Sequence, residues 1–260
     1  MTITIIVSLS FFTLLLLYMF KEAYRNHINE ITLHYEQFPE TDCTLSIFFI
    51  TDIHRRRIST NFIDQVVGKA DLVIIGGDLT EKGVPLKRTK DNLNQLNRIG
   101  PIYFVWGNND YEVHESEFRK LLIQNGVEIL ENRSVPIDCN GKKRVNLIGF
   151  GEVSFQLDSV WLALQNVDQD AFKIGVCHNP AILSKLPEDH SINLLLSGHT
   201  HGGQINFFGL SPYPKGRFVQ TDRIDYLISN GYGTTMLPLR FWARAETHLI
   251  HIKGKTEHFS

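Results

Sequence analysis

The chain has 260 residues, a formal net charge of −2 and 43% apolar residues. That length fits one large domain or two small ones, and the apolar share supplies a substantial core and excludes a disordered chain. With no excess of basic charge, nucleic acid is not expected as the main partner.

The first twenty residues, "MTITIIVSLSFFTLLLLYMF", carry no charged side chain. As a helix they span about 30 Å, the thickness of a hydrocarbon core. A secretory signal would show a basic start and a small-residue cleavage site, and neither is present. A buried core helix would show a polar stripe, and Thr and Ser form none. Residues 1–20 therefore read as a retained single-pass transmembrane helix in the cell membrane. Lys21 and Arg25 follow it, and the positive-inside bias places the bulk of the chain in the cytoplasm. Residues 21–43 read as a juxtamembrane linker with a short strand, "ITLHYEQF", and residues 44–260 as the domain.

An alternation of elements follows. "LSIFFITD" reads as a strand, and "NFIDQVVGKA" puts Phe62, Ile63, Val66 and Val67 on one helical face. "LVIIGGD" is a strand. "LKRTKDNLNQLNRIGP" is a helix that Gly100-Pro101 stops. "IYFVWGNND" is a strand, and "ESEFRKLLIQNG" is a helix with acidic residues first and Gly126 last. Strand–helix alternation of this kind predicts a largely parallel first sheet.

The second half is richer in strands. "SVPIDC" and "RVNLIGFG" predict a hairpin around Asn140-Gly141. "FKIGVCH", "INLLLSGH", "QINFFG", "DYLISNGYG" and "ETHLIHIK" follow, with helical patterns near 158–167 and 180–186. The fold class is α/β: two packed mixed sheets, with helices on the outside, accommodate this order. Cys43, Cys139 and Cys177 form an odd, widely spaced set that does not read as a disulfide framework. They fit a reducing compartment or a domain indifferent to redox state.

Five apolar runs end in ligand-type residues. They are "FFITDIH" with Asp52 and His54, "LVIIGGD" with Asp78, "FVWGNND" with Asn108, "IGVCHNP" with His178, and "LLLSGHTHGGQI" with His199 and His201. One such strand end is a cap or a turn; five supplying Asp, Asn or His point to a shared site beyond the carboxyl ends of the strands. These donors suit borderline-hard divalent metals. The spacings Asp52-x-His54 and His199-x-His201 put two donors on one side of an extended segment. Gly76, Gly77, Gly107, Gly198, Gly202 and Gly203 allow tight turns around a crowded centre. Seven ligands exceed what one ion takes, whereas two ions sharing an Asp use them all. The residual positive charge suits phosphate oxygens and the ionisation of a bridging water.

The order D-x-H, G-D, G-N-x-D, H-x-P, G-H-T-H-G-G-Q resembles that of the calcineurin-like metallophosphoesterases, over roughly residues 44–252. "GHTHGGQI" with "SNGYGTTMLPLRFWARAE" looks most like the membrane-associated bacterial branch that includes the YkuE and YaeI phosphoesterases. The resemblance implies a four-layer sandwich and a dinuclear centre. Asp52, His54 and His201 would hold the first metal, Asp78 would bridge, and Asn108, His178 and His199 would hold the second. Catalysis would fall to Asp52, Asp78 and Asn109, with a bridging hydroxide attacking phosphorus. The ions expected are Mn²⁺, Fe or Zn²⁺, with Mg²⁺ also compatible. The substrate would be a phosphodiester, pyrophosphate or phosphomonoester.

Asn109 departs from the family pattern, standing where many members have the His of "GNHD". An amide donates a hydrogen bond to a phosphate oxygen but supplies no proton near pH 7. This departure alone supports the alternative reading, a non-catalytic metal-containing scaffold or sensor. Arg55, Arg56 and Arg57 read equally as a phosphate grip or a solvated loop. Asp110 reads equally as a positioning carboxylate or a turn former. Cys177 reads as core. "NFFGL" and "MLPLRFW" read first as core and second as an apolar wall for a lipid-linked substrate.

Overall fold

The computed structural model describes residues 1–38, 43–139, 142–207, 209–211 and 213–255. Helix α1 (Thr2–Ala23) is long and apolar enough to cross a membrane by length and composition. Its side chains are largely exposed through Tyr18, and only Met19, Glu22 and Ala23 are buried.

The first sheet holds β1 (Ile28–Tyr35), β2 (Thr44–Ile50), β3 (Leu72–Ile75), β4 (Ile102–Phe104), β5 (Val127–Ile129) and β12 (Thr247–Gly254), in the order β1-β12-β2-β3-β4-β5. From β2 to β5 it is parallel; β12 runs antiparallel to β2 and parallel to β1. The second sheet holds β6 (Arg133–Cys139), β7 (Lys142–Gly149), β8 (Phe172–Val176), β9 (Leu194–Ser197), β10 (Arg217–Val219) and β11 (Asp225–Ile228), in the order β10-β11-β9-β8-β7-β6. Its inner strands are parallel and its two edge pairs antiparallel.

The two sheets bury one face against each other. Leu45, Ile47 and Phe49 of β2 meet Leu147, Ile174, Val176 and Leu196 there. The alternate residues Phe48 and Ile50 face outward onto Phe62, Leu93, Leu96, Phe118 and Leu122. A third cluster, including Ile148, Leu195, Ala163 and Ile182, covers the outer face of the second sheet. Central strands covered on both faces read as unbroken apolar runs, which is why this sequence shows so little alternation.

The helices are α2 (Thr60–Ile63), α3 (Leu86–Leu96), α4 (Glu115–Gln124) and α5 (Val160–Leu164). On α4, Glu115 and Glu117 oppose the positive end of the dipole, and Gly126 follows with φ +71°. The helix expected over 61–70 is a single turn, α2, followed by turns. Two adjacent β-branched valines and Gly68, at φ +79°, disfavour its extension. Near 180–186 the chain forms a 3₁₀ turn, Pro180–Ser184, which the Asn179 side chain caps by accepting from Ala181 N at 2.9 Å. Among the described residues of "QINFFG", Ile205 and Phe207 make isolated bridges in place of a strand. The short strands β5 and β10 were not expected. The predicted turn residues Asn140 and Gly141 lie outside the described residues, and β6 and β7 flanking them pair antiparallel.

Two expectations change. The strand expected within a linker is β1, which extends the first sheet beyond β12. The cysteines do not stand apart either: Cys43 and Cys139 are joined in a disulfide, with Cα atoms 6.0 Å apart. They are separated by 96 residues and meet because the sheets stack the start of β2 over the end of β6. Cys177 is buried in the outer cluster of the second sheet, as expected.

Candidate metal centre

Each of the five ligand-bearing segments leaves the carboxyl end of a strand. Asp52 and His54 follow β2, Asp78 follows β3, Asn108 follows β4, His178 follows β8, and His199 and His201 follow β9. Both sheets therefore contribute, and all seven side chains meet where the sheets join. His54 Nε2 lies 3.1 Å from His201 Nε2 and 3.6 Å from Asp78 Oδ2. His201 Nε2 is 3.2 Å from Asp52 Oδ1, and His178 Nε2 is 3.2 Å from Asp78 Oδ2. His199 Nδ1 is 2.9 Å from Asn108 Oδ1, and the His199 N–H donates to Asp52 at 3.2 Å. Donor atoms of Asp52, His54, Asp78 and His201 all lie within 4.8 Å of one another.

The backbone brings them together by a route the sequence did not suggest. Asp52, His54, Asp78, His199 and His201 all have positive φ, between +50° and +70°. The two D-x-H and H-x-H pairs are therefore not alternating positions of an extended strand, as expected, but loop residues turned back by left-handed backbone. Such conformations cost of order 1–3 kcal/mol each and gather at functional sites. Space is equally tight: a Cβ on Gly77, at φ +89°, would lie 2.6 Å from His178 Nδ1.

The donors fit a metal pair. His178 Nδ1 lies 2.8 Å from the Gly76 carbonyl, which fixes the ring proton on that nitrogen. The opposite nitrogen, Nε2, is buried and has no hydrogen-bond partner. A buried imidazole nitrogen 3.2 Å from a carboxylate holds a proton when no cation is there, and offers its lone pair to a metal that displaces that proton. His54 and His201 present nitrogens to each other at contact distance, which a cation between them and the carboxylates would reconcile. Burial, with the neighbouring His54 and Arg240 charges, holds His201 well below its ordinary pKa, so it is neutral and able to ligate. Burial opposes charge on His178, but Asp78 beside it wins and raises its pKa well above the ordinary value. An acid–base contact of this strength is what a cation would replace.

Four supporting residues complete the centre. Glu81 Oε2 lies 2.9 Å from His54 Nδ1 and also pairs with Arg55. Asp110 accepts from the backbone N–H of Asp78 at 2.8 Å, Gly107 at 2.9 Å and Thr80 at 3.0 Å. It positions the β3 and β4 loops rather than forming a turn alone. Arg240, fully buried, donates to the carbonyls of His201, Asn230, Gly233 and Ala243, and burial lowers its pKa to about 10. Gln204, closing "GHTHGGQ", donates to the Thr235 and Leu237 carbonyls and accepts from Thr235 N, tying residues 235–237 to the ligand loop. Sequence reading missed Glu81, Arg240 and Gln204. Two had a signal: Glu81 comes three residues after Asp78, and Arg240 is a lone charge inside "MLPLRFW".

None of the three arginines lines the pocket at this centre. Arg55 and Arg57 are exposed, while Arg56 is buried against the Tyr232 ring and donates to the Tyr24 and Arg25 carbonyls at 2.7 and 2.9 Å. Arg56 thus fastens the end of α1 to the domain. The pocket itself has a volume of about 510 Å³, with Asp78, Asn108, Asn109, His199 and His201 on its polar side. Asn109 N donates to Asp78 Oδ1 at 2.8 Å, and its side chain contacts Asn108 and Glu112.

A model of the calcineurin-like phosphoesterase family matches residues 45–203, a span that contains all seven side chains. The chain belongs to the calcineurin-like phosphoesterases. As a member of that family it is a metal-dependent phosphoesterase; the family is dinuclear-metal dependent, and this chain has the buried group Asp52, His54, Asp78 and His201 that could hold a metal ion. It is 42% identical over 238 residues to the uncharacterized protein YpbG of Bacillus subtilis, covering 91% of each chain. It is 25% identical over 199 residues to the uncharacterized metallophosphoesterase YkuE of the same organism, covering 72% of this chain and 69% of YkuE. Among solved structures it is similar in fold to a 5′-nucleotidase precursor from Thermus thermophilus, with a TM-score of 0.53 and 12% identity over 80% of this chain and 55% of that one.

Proposed function

We propose that the chain is a single-pass membrane-anchored phosphoesterase that hydrolyses a phosphodiester, pyrophosphate or phosphomonoester bond with two divalent ions. The observation that carries this reading is the convergence of seven donor side chains from both sheets, four of which, Asp78, Asn108, His199 and His201, line one pocket. Asp52, His54 and His201 hold one ion, Asp78 is shared, and Asn108, His178 and His199 hold the other. Four imidazoles favour Mn²⁺, Fe or Zn²⁺ over Mg²⁺. When bound, such ions supply charge for phosphate oxygens and lower the pKa of water. The protein's own part is positional. Glu81 and the Gly76 carbonyl orient His54 and His178, the Asn109 N–H steadies the Asp78 carboxylate, and the Asn109 amide donates to a phosphate oxygen. A lipid-linked ester is the substrate class proposed.

Purified full-length protein, loaded with each metal in turn, is assayed against phosphomonoesters, phosphodiesters and pyrophosphates. Turnover that needs metal and is abolished in Asp78→Asn supports the reading; turnover indifferent to chelators sinks it. For the anchor, Lys21 and Arg25 favour a cytoplasmic domain, whereas the Cys43–Cys139 pair suits an oxidising compartment. Proteolysis of intact cells decides: protection supports the cytoplasmic side proposed here, and digestion reverses it.

A further inference from the structure

Helix α1 does not simply lead into the domain; its last turns are docked on the segment that walls the catalytic pocket. Arg240 N donates to the Met19 carbonyl at 3.0 Å, and Arg244 Nε lies 3.5 Å from Glu22 Oε2. The Tyr18 ring packs on Phe241 at 6.2 Å between centroids, and Phe241 packs on Phe207 at 4.7 Å. Phe241 N in turn donates to the Gln204 carbonyl, beside the ligand loop. Met236 touches both sides of this arrangement. It lines the catalytic pocket with Leu237, and it lines a second, smaller hollow with Ala23 and Tyr24 at the end of α1.

The side chains at this rim and next to it are apolar and in the open: Met236 and Leu237 line the pocket, and Phe207, packed on Phe241, bridges to Leu210 beside it. Met236 is 89% exposed, Leu210 81% and Leu237 60%, with Phe207 also exposed. Gln204 ties down 235–237, so the exposure of Met236 belongs to a fixed loop and not to a trailing one. An exposed apolar cluster of this kind marks a contact surface. Its occupant follows from α1. The apolar, exposed part of that helix ends at Tyr18 to Phe20, and Lys21 comes next. A boundary between hydrocarbon and water therefore falls near Tyr18, which packs on Phe241 and through it on Phe207, while Met236, beside Ala23 and Tyr24, lies roughly 8 Å further out at headgroup depth.

We infer that the catalytic pocket opens against the bilayer that holds α1, with Phe207, Leu210, Met236 and Leu237 dipping into its interface. The inference rests on the anchor proposed above and specifies its substrate: an amphipathic phosphoester drawn sideways from the membrane. Its apolar tail stays among the rim side chains while its phosphate reaches Asp78, Asn108 and Asn109. No long soluble path is needed, because the pocket and the helix end share Met236.

The test uses the full chain in phospholipid vesicles carrying lipids spin-labelled at the headgroup or along the acyl chain. Cys177 is buried and Cys43 is bonded to Cys139, so a fluorophore can be placed on one introduced cysteine at a time. Phe12→Cys reports the anchor. Ile123→Cys is the reference, exposed near Asn125, which Asn97 holds at the opposite ends of the strands. Leu210→Cys, Met236→Cys and Leu237→Cys report the rim. The expected result is strong quenching of the rim labels by headgroup and shallow acyl quenchers, at least threefold above Ile123. A rim no more quenched than Ile123, with Phe12 quenched by deep labels, overturns the inference and leaves the anchor standing; a second copy covering the rim would give this result. An unquenched Phe12 overturns the anchor and the inference with it. In a second arm, a long-chain phosphodiester in the vesicle is compared with its short-chain soluble analogue. At least tenfold higher kcat/KM for the embedded ester is expected, and equal values overturn the lipid assignment.

Discussion

The imidazole of His178, at the end of β8, donates from Nδ1 to the carbonyl of Gly76, at the end of β3, over 2.8 Å. One hydrogen bond thus links the two sheets and leaves the other ring nitrogen bare beside Asp78. The centre depends on the sheets stacking in register, and it is most exposed to change at the residues both sheets share.

Asp78 is the first of these. Elemental analysis of metal-loaded protein is expected to give about two ions per chain, as a shared-carboxylate centre requires. Asp78→Asn removes the charge that faces both His54 and His178, so both ions are expected to bind more weakly. A variant that holds both at full affinity refutes the shared role.

Asn109 sets the second. With no acid on its side chain, departure of the leaving group goes largely unassisted. Aryl phosphodiesters and pyrophosphates, whose leaving groups are already acidic, are expected to outrun alkyl monoesters. Asn109→His is expected to speed poor leaving groups by roughly 10–10³-fold and good ones less. The measurement is the slope of log rate against leaving-group pKa. Equal slopes in the two proteins mean that another residue supplies the proton.

The Cys43–Cys139 bond closes a long loop and ties the start of β2 to the end of β6. Removing a native bridge typically costs about 2–4 kcal/mol, and a loop this long favours the upper end or slightly more. Cys43→Ser with Cys139→Ser is therefore expected to lower the denaturant midpoint under oxidising conditions, and to change it little in excess reductant. An equal loss in both conditions would assign the effect to packing of the thiols rather than to the bond.

His248, buried on β12 beside Ser229 and Glu246, has its pKa pushed down to about 4 by burial. Above pH 6.5 it is neutral folded and unfolded, and contributes nothing to the pH dependence. As pH falls below that, the unfolded chain takes up the proton first, so stability drops until the folded pKa is reached. That window, from about 6.5 to about 4, is worth about 3 kcal/mol at 1.36 kcal/mol per unit. Denaturant midpoints of His248→Gln are expected to fall less than wild type across it. Parallel curves for the two proteins would remove His248 from the account.

Much of this was legible in the chain. The apolar runs ending in Asp, His or Asn marked the strands and the seven donors, because double-sided burial and ligation leave strong local patterns. What was not legible depends on partners far apart in sequence. Cys43 and Cys139 gave no spacing signal, since only sheet stacking joins them. Arg240 donates to the carbonyls of five residues, and although four of them lie within ten positions of it, the His201 carbonyl is 39 positions away and the fold of the intervening loop is what brings them together. The left-handed turns at Asp52, His54 and Asp78 were hidden for another reason: the residue types demanded by chemistry override those the backbone would choose. Glycine would suit these positions best, and the sequence offers aspartate and histidine.

That choice of residues leaves the backbone strained at the centre. Five of the seven donor positions hold non-glycine residues in a conformation that costs about 1–2 kcal/mol relative to glycine. Glycine at Asp52 or His54 would relieve the backbone, but both side chains are buried and partnered, so the cavity and the unpaired neighbours left behind would offset that relief. The strain is held in place by the contacts around it, and any change that loosens those contacts lets the ligand loops relax away from the geometry the centre needs.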